Sequence, residues 1–197
     1  MKELLKRYPQ LFQCEQAITE ALELMIETYK NGGKLLICGN GGSASDSGHI
    51  VGELMKGFLL PRKVTDKRIS ADLRENLQGA LPTISLCSHD ALMTAFANDV
   101  KPDMVYAQQV YGYAKAHDLV LGISTSGNSH NVVNAIRLAC DIGLKTIALT
   151  GENGGKLSDI ATVTIKVPSD ETYKIQEYHL PIYHYLCAEI EEFFFAH

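Results

Sequence analysis

The chain has 197 residues, of which 46% are hydrophobic and 21% charged, and its formal net charge is −5. This length suits one well-buried domain and is too short for two ordinary ones, and no apolar run approaches the length of a membrane span. The negative charge argues against a broad nucleic-acid surface, and the N-terminal segment carries charges where a secretory signal has its apolar region. We therefore predict a single cytoplasmic domain, residues 1–197, with no membrane or nucleic-acid partner.

Apolar residues recur at helical spacing across residues 1–31, with an interruption at Pro9 and a stop at Asn31-Gly32-Gly33. This pattern predicts one short and one long N-terminal helix. The long helix is too apolar to stand alone, so we expect it to pack across the domain or against a partner subunit.

The stretch from Cys38 to Glu53 reads CGNGGSASDSGHIVGE and follows an apolar run, residues 34–38, that is typical of a buried strand. Its glycines and small polar residues stand where a helix is predicted to begin, an arrangement that binds anions through unpaired backbone N–H groups. Further along that helix, His49 and Glu53 are four residues apart and share one face. Such a pair can bind a metal or act on one substrate, but many structural surface pairs have the same spacing.

Residues 56–80 form an insertion that is charged and proline-marked, with some helix predicted around residues 70–77. A connection of this length is unusual inside a compact domain. A lid over a site, an oligomer contact and a solvated segment without a role are all compatible with it.

From Leu81 onward the pattern alternates between strands and helices. Strands are predicted at residues 81–86, 118–123, 144–149 and 162–167, and helices at 90–98, 104–116, 130–142 and 156–160. With the strand at 34–38 this makes five strands, each apolar on both faces, which predicts a three-layer α/β sandwich around a five-stranded parallel sheet. Ligands of such sheets bind at the carboxyl ends of the strands, where the glycine-rich stretch also falls.

Another candidate site, Ser124-Thr125-Ser126-Gly127-Asn128-Ser129, also lies between a predicted strand and a helix. Its hydroxyls and turn N–H groups are suited to a phosphate monoester. A serine-rich helix start without a ligand is the more common explanation of such a stretch alone. Two such turns after two strands of one sheet favour ligand binding.

The C-terminal helix, residues 171–195, contains Gln176, His179 and His184 and has Pro181 in its interior. A second helix of this kind can bring nitrogen and oxygen ligands to His49 and Glu53. By spacing alone Gln176 and His179 face the same way, and His184 is not favoured. Pro181 predicts a kink, which can change that geometry.

Together these segments resemble the motifs of phosphoheptose isomerases, within the sugar isomerase (SIS) domain family. The matching segments are CGNGGSASDSGH, ANDV at 97–100, LGISTSGNS at 121–129, LTGENGGK at 149–156 and KIQEYHLPIYH at 174–184. The resemblance covers most of the chain, in order. It implies a flavodoxin-like α/β fold, a homotetramer with sites at subunit interfaces, one zinc ion per subunit, and conversion of sedoheptulose 7-phosphate to D-glycero-D-manno-heptose 7-phosphate or its α/β epimer.

Carried over position by position, the resemblance implies roles for individual residues. The implied zinc ligands are His49, Glu53, Gln176 and His184, with Glu53 as catalytic base and His184 as catalytic acid. The implied substrate-binding residues are Asn40, Gly41, Gly42, Ser43, Asp99, Ser124, Thr125, Ser126, Ser129 and Gln176. The resemblance thus selects His184 where spacing alone selects His179.

Three departures from the family pattern affect the expected substrate more than the reaction. Gly57 stands where the family commonly has a basic residue, Lys174 stands where arginine is common, and the insertion is longer than usual. The alternative function is that of a non-catalytic SIS protein, which binds a sugar phosphate as a signal or docks onto a partner such as the replication initiator. Relatives of that kind lack parts of the metal and acid–base set, whereas all four residues are present here, which favours the enzyme.

Overall fold

The computed structural model of the protein describes residues 1–196, which form nine α-helices and five β-strands. The helices are α1 (Lys2–Arg7), α2 (Glu15–Lys30), α3 (Gly42–Met55), α4 (Ala71–Asn76), α5 (Asp90–Asp99), α6 (Val105–Tyr113), α7 (His130–Asp141), α8 (Leu157–Ile160) and α9 (Thr172–Phe195). The strands are β1 (Leu35–Cys38), β2 (Thr83–Ser85), β3 (Leu119–Ile123), β4 (Lys145–Thr150) and β5 (Val163–Lys166). Short 3₁₀ helices occupy Pro9–Cys14 and Pro102–Met104.

The five strands form one sheet in the order β2-β1-β3-β4-β5, and every neighbouring pair is parallel. In the register of the sheet, Leu36 of β1 lies between Ile84 of β2 and Val120 of β3. The prediction of an α/β fold with a five-stranded parallel sheet is confirmed.

Helices cover both faces of the sheet. Successive strand residues point to opposite sides, and since both sets are apolar here, each face of the sheet is packed against helices. Leu35 and Ile37 belong to a core shared with α1, α2, α3 and α9, whereas Leu36 and Cys38 belong to a core shared with α6 and α7. The result is the predicted three-layer arrangement. The long N-terminal helix α2 packs across the domain, burying Ile18 in the first core.

α3 and α9 lie side by side and run from the carboxyl edge of the sheet toward its amino edge. α3 starts directly after β1, and near its end the Leu54 carbonyl accepts a hydrogen bond from the Leu81 N–H, just before β2. α9 is continuous through Pro181. This parallel course brings together residues that are more than 130 positions apart in the chain.

No helix within residues 1–196 combines the length and the apolar character that a membrane crossing requires.

Candidate active site

Three side chains of α3 and α9 meet, and we refer to them as the helix cluster: His49, Glu53 and His184. Glu53 lies one turn beyond His49, and its Oε1 is 3.1 Å from the Nε2 of His49. The Nε2 of His184 is 3.4 Å from the same His49 atom. The side chains of His49 and Glu53 are 41% and 13% exposed, so a small ligand can reach both.

The surroundings of the helix cluster favour the neutral form of the His184 imidazole. Partial burial, together with the nearby His49, lowers the pKa of His184 below its ordinary value. The second oxygen of Glu53, Oε2, lies 3.2 Å from the Nζ of Lys56. A neutral imidazole can accept a proton and a carboxylate can act as a base, so the cluster contains the groups that general acid–base catalysis uses.

The remaining polar residues of α9 lie elsewhere. Gln176 packs against the start of α3, where a Cβ on Gly42 would be 2.7 Å from the Gln176 Nε2. His179 is fully buried, and its Nε2 lies 3.3 Å from the Thr150 carbonyl oxygen. Spacing alone selected His179 as a partner for α3, but the structure brings His184 to His49 instead. Within this subunit Gln176 is not joined to the helix cluster.

The glycine loop, Gly39 to Ser43, connects β1 to α3. Gly41 has a φ of +55°, a backbone conformation that favours glycine, and it is the residue before the first turn of α3. The side chain of Asn40 exchanges two hydrogen bonds with that of Asn131, at 2.8 and 2.9 Å. Since Asn131 is in the first turn of α7, these bonds join the glycine loop to the helix that follows β3.

The serine loop, Ser124 to Ser129, connects β3 to α7. The hydroxyl oxygens of Ser124 and Ser129 are 3.0 Å apart, and the Asn128 N–H donates to the Ser126 hydroxyl oxygen at 3.1 Å. Ser129 is the residue before the first turn of α7, a position from which helix N–H groups can bind an anion. The loop therefore offers several hydroxyls and N–H groups at one place.

The serine loop is supported by the loop that follows β4. Gly127 has a φ of +65°, and a Cβ at this position would lie 1.9 Å from the Gly154 carbonyl oxygen. The Gly151 N–H donates to the Thr125 carbonyl at 2.9 Å, and the Lys156 N–H donates to the Asn128 Oδ1 at 3.1 Å. Residues 151–156, which sequence analysis matched only as a motif, thus hold the serine loop in shape.

The helix cluster and the two loops occupy different ends of α3. Glu53 follows Gly42 by 11 residues, which is roughly 16 Å along a helix axis. Asp99 lies at the exposed end of α5, where its Oδ1 accepts a hydrogen bond from the Asn98 side chain. Within residues 1–196 no hydrogen bond joins Asp99 to another predicted site residue.

Sequence reasoning missed a buried ion pair at the end of α3. Arg62, in the insertion, is 0% exposed, and its Nε donates to Glu191 Oε1 at 2.7 Å. Its other guanidinium nitrogens donate to the carbonyl oxygens of Glu53 and Leu54. The start of the insertion is therefore not a solvated segment but is fixed to α3 and α9. Nothing in the local sequence distinguishes Arg62 from the exposed basic residues around it.

The Glu191 carboxylate also binds backbone N–H groups of the insertion. Phe58 and Leu59 donate to it at 2.7 and 2.6 Å. Burial alone would raise the pKa of Glu191, but these N–H groups and the Arg62 guanidinium bring it below its ordinary value. Glu191 is therefore an ionised side chain in the interior.

A metal site requires several donor side chains around one point. Within residues 1–196 no group of three or more His, Cys, Asp or Glu side chains forms a ready metal-binding cluster. The helix cluster comes nearest in composition, with two imidazole nitrogens and one carboxylate oxygen, which are donor types that zinc accepts. In this structure the Nε2 of His49 lies within hydrogen-bond range of the Glu53 Oε1 and the His184 Nε2.

Comparisons with known proteins give a consistent result. A family model described as "SIS domain" matches residues 2–151. The phosphoheptose isomerase of Helicobacter pylori (strain P12) is 41% identical over 193 residues, covering 98% of this chain and 91% of that protein. The phosphoheptose isomerase of Aliarcobacter butzleri is 40% identical over 90% of this chain and 85% of that protein. The solved structure of phosphoheptose isomerase GmhA from Neisseria gonorrhoeae matches with a TM-score of 0.76 and 31% identity, covering 97% of this chain and 98% of that one.

Proposed function

Because the chain belongs to the SIS domain family, we propose that it is a phosphoheptose isomerase, which converts sedoheptulose 7-phosphate to D-glycero-D-manno-heptose 7-phosphate or its α/β epimer. Relatives at about the same length carry that name, at 40 and 41% identity. The observation that carries the proposal is the approach of both Glu53 and His184 to the same nitrogen, the Nε2 of His49. It favours an enzyme over the non-catalytic alternative, because binding a sugar phosphate does not require an acid–base pair.

The reaction moves a hydrogen between neighbouring carbons. Glu53 removes the proton from C1 of the ketose, next to the carbonyl, and returns it to C2, which leaves the aldehyde at C1. His184 exchanges the proton between the two oxygens of the enediol, a step for which a neutral imidazole is suited. The lowered pKa of His184 supports this role.

Zinc is part of the proposal, with His49, Glu53, Gln176 and His184 as ligands. His49, Glu53 and His184 would come from one subunit, and Gln176, which lies against Gly42 in this subunit, would have to come from a neighbouring one. Two ligands that each lie about 2.1 Å from a tetrahedral zinc ion are roughly 3.4 Å apart. The 3.1 and 3.4 Å separations of the cluster donors are compatible with that geometry. When bound, the ion supplies stabilisation of the negative charge on the substrate oxygen. A carboxylate or imidazole held by a metal is a poor proton carrier, so Glu53 and His184 would move protons only while they are not bound to the ion.

The phosphate is assigned to Ser124, Thr125, Ser126 and Ser129, and the sugar chain to Asn40, Gly41, Gly42, Ser43, Asp99 and Gln176. The roughly 16 Å between the start of α3 and Glu53 is longer than an extended seven-carbon sugar phosphate. This supports a site shared between subunits, in which one subunit supplies the serine loop and another the helix cluster. The homotetramer itself is carried over from the resemblance to phosphoheptose isomerases. Gln176, which lies against Gly42, then belongs to the loop side of the site. A cytoplasmic location belongs to the same proposal.

The test of the reaction is turnover of sedoheptulose 7-phosphate, followed by separation of the aldoheptose product. We expect activity in the wild type and a loss of 10³-fold or more in kcat for Glu53→Gln, since the amide cannot accept the proton. Glu177→Gln, on the exposed side of α9, is the matched control and should retain activity. Absence of turnover on every heptulose phosphate, with retained binding, would support the alternative of a binding protein.

The shared site is tested by complementation. Glu53→Gln and the double variant Ser124→Ala/Ser129→Ala are each expected to be inactive. Co-expressed with different tags and purified as mixed oligomers, they regain turnover if an intact serine loop of one subunit meets an intact helix cluster of another. Mixed oligomers without activity would place the complete site within one subunit.

A further inference from the structure

The hydroxyl of Tyr183 lies between two side chains of α3. It is 3.0 Å from the Nδ1 of His49, and it donates a hydrogen bond to Oδ1 of Asp46 at 3.2 Å. Tyr183 is 2% exposed and its ring packs edge-on against the His49 imidazole, with 5.4 Å between ring centroids. The tyrosine is therefore held in place by packing as well as by its hydroxyl. No role for Asp46 or Tyr183 follows from the motifs of the sequence.

The hydroxyl has one proton and two neighbours that can accept it. An ionised carboxylate is the stronger acceptor, so the proton goes to Asp46, and Tyr183 then accepts a hydrogen bond from the Nδ1–H of His49. The opposite arrangement, with the hydroxyl donating to Nδ1, would leave Asp46 without this partner. The Glu53 Oε1 competes for the same proton, because it lies 3.1 Å from the Nε2 of His49 and can accept from an Nε2–H. The Glu53 carboxylate already has a cationic partner in Lys56, which weakens that competition.

We propose that Asp46 and Tyr183 are positioning residues that hold His49 in the tautomer protonated on Nδ1. The Nε2 lone pair of His49 is then directed at the Glu53 Oε1 and the His184 Nε2, 3.1 and 3.4 Å away. In this tautomer the Nε2 of His49 faces both side chains with a lone pair and not with a proton. A histidine held in this tautomer has a free Nε2 lone pair and is ready to bind a metal ion. This role of Asp46 and Tyr183 rests on the proposed function, in which His49 is a zinc ligand.

The tautomer can be measured directly, without turnover. In the metal-free protein with ¹⁵N-labelled histidine at pH 8.5, where imidazoles are neutral, nitrogen shifts distinguish the two tautomers of His49. The His49 signal is assigned by its loss in His49→Gln. We expect the Nδ1–H form in the wild type. We expect the Nε2–H form in Asp46→Ala, because the tyrosine proton is then free to turn to Nδ1, and a shift toward that form in Tyr183→Phe.

The second measurement is zinc affinity, obtained by competition with a chromophoric chelator. Tyr183→Phe and Asp46→Ala are expected to bind zinc 10- to 100-fold more weakly than the wild type. Tyr178→Phe, five residues earlier on α9, removes a hydroxyl outside this arrangement and should bind zinc as the wild type does. Its ring packs against the same core, so it controls for loss of a tyrosine hydroxyl.

The results separate this proposal from the proposed function. A wild type with the Nε2–H form, or variants that leave the tautomer unchanged, would overturn the role of Asp46 and Tyr183 even if the protein isomerises its substrate. Conversely, an Nδ1–H form that depends on both residues supports the proposal even in a protein that shows no turnover.

Discussion

The serine loop and the helix cluster are built in opposite ways. The serine loop is shaped by backbone contacts between the connections that follow neighbouring strands, such as Gly127 against Gly154, 27 positions apart. The helix cluster is made by side chains of α3 and α9 that are 135 positions apart, and those side chains are 13% or more exposed at His49 and Glu53. The shape of the serine loop depends on a glycine that has no side chain. The geometry of the helix cluster depends on how α3 and α9 are held together.

This difference predicts different responses to substitution. Small additions of volume should damage the serine loop, because its backbone segments touch. The helix cluster should tolerate local changes of volume but respond to residues that hold the ends of its helices.

The largest expected effect is from Arg62→Met, which acts on the helix side. It leaves the buried Glu191 carboxylate without its guanidinium and removes the bonds to the Glu53 and Leu54 carbonyls. Breaking a buried ion pair from one side destabilises a protein by about 4 kcal/mol. Denaturant unfolding measures the loss, and a reduced kcat at saturating substrate would report the disturbed end of α3.

The control for Arg62 is Arg68→Met. Arg68 also pairs with a carboxylate, Asp66, at 2.6 Å, but its side chain is 90% exposed. We expect its loss to leave unfolding unchanged, because an exposed pair is screened by water. The double variant Arg62→Met/Glu191→Gln should recover part of the loss, since it removes the unpaired charge. Equal effects of Arg62→Met and Arg68→Met would contradict a role for burial.

On the loop side, Gly127→Ala should lower the free energy of unfolding by roughly 3 kcal/mol, because it combines a positive φ with a collision against the Gly154 carbonyl. Gly143→Ala is the matched control, with a φ of +83° but nothing within 4 Å of the added Cβ. It should cost only about 1 kcal/mol. We also expect a raised KM in Gly127→Ala alone, measured with the ketose phosphate. A normal KM in that variant would separate the loop from phosphate binding.

Sequence patterns predicted the loop side better than the helix side. Apolar runs identified every strand, and the glycines and serines after β1 and β3 marked the turns, because these features depend on residues that are neighbours in the chain. On α9, spacing preferred His179 to His184. The periodicity of one helix tells which residues share a face, but which face meets α3 depends on packing that no local pattern contains.

Contacts between distant segments were not predictable for the same reason. Arg62 resembles the other basic residues of the insertion, and only the folded chain places it between α3 and α9. The hydrogen bond between Tyr183 and Asp46 likewise forms only because α3 and α9 run parallel to each other. The resemblance to phosphoheptose isomerases selected His184 but gave no information about these supporting residues.

The smallest expected effect concerns His179 of α9. Its Nε2 contacts the Thr150 carbonyl at the end of β4, just before the loop that supports the serine loop. Its Nδ1 is buried without a hydrogen-bond partner among residues 1–196, and burial lowers the pKa of His179 to about 4. The unfolded chain, with an ordinary histidine pKa, binds the proton first as the pH falls, so this histidine contributes stability above about pH 6.5 that is lost toward pH 4. Between pH 7 and pH 5 the loss amounts to about 2 kcal/mol.

Wild type and His179→Gln are compared by urea unfolding at both pH values. Carboxylates present in both proteins contribute equally to the pH dependence of unfolding, so their contribution cancels in the difference. We expect a steeper pH dependence in the wild type, and parallel curves would contradict a neutral buried His179.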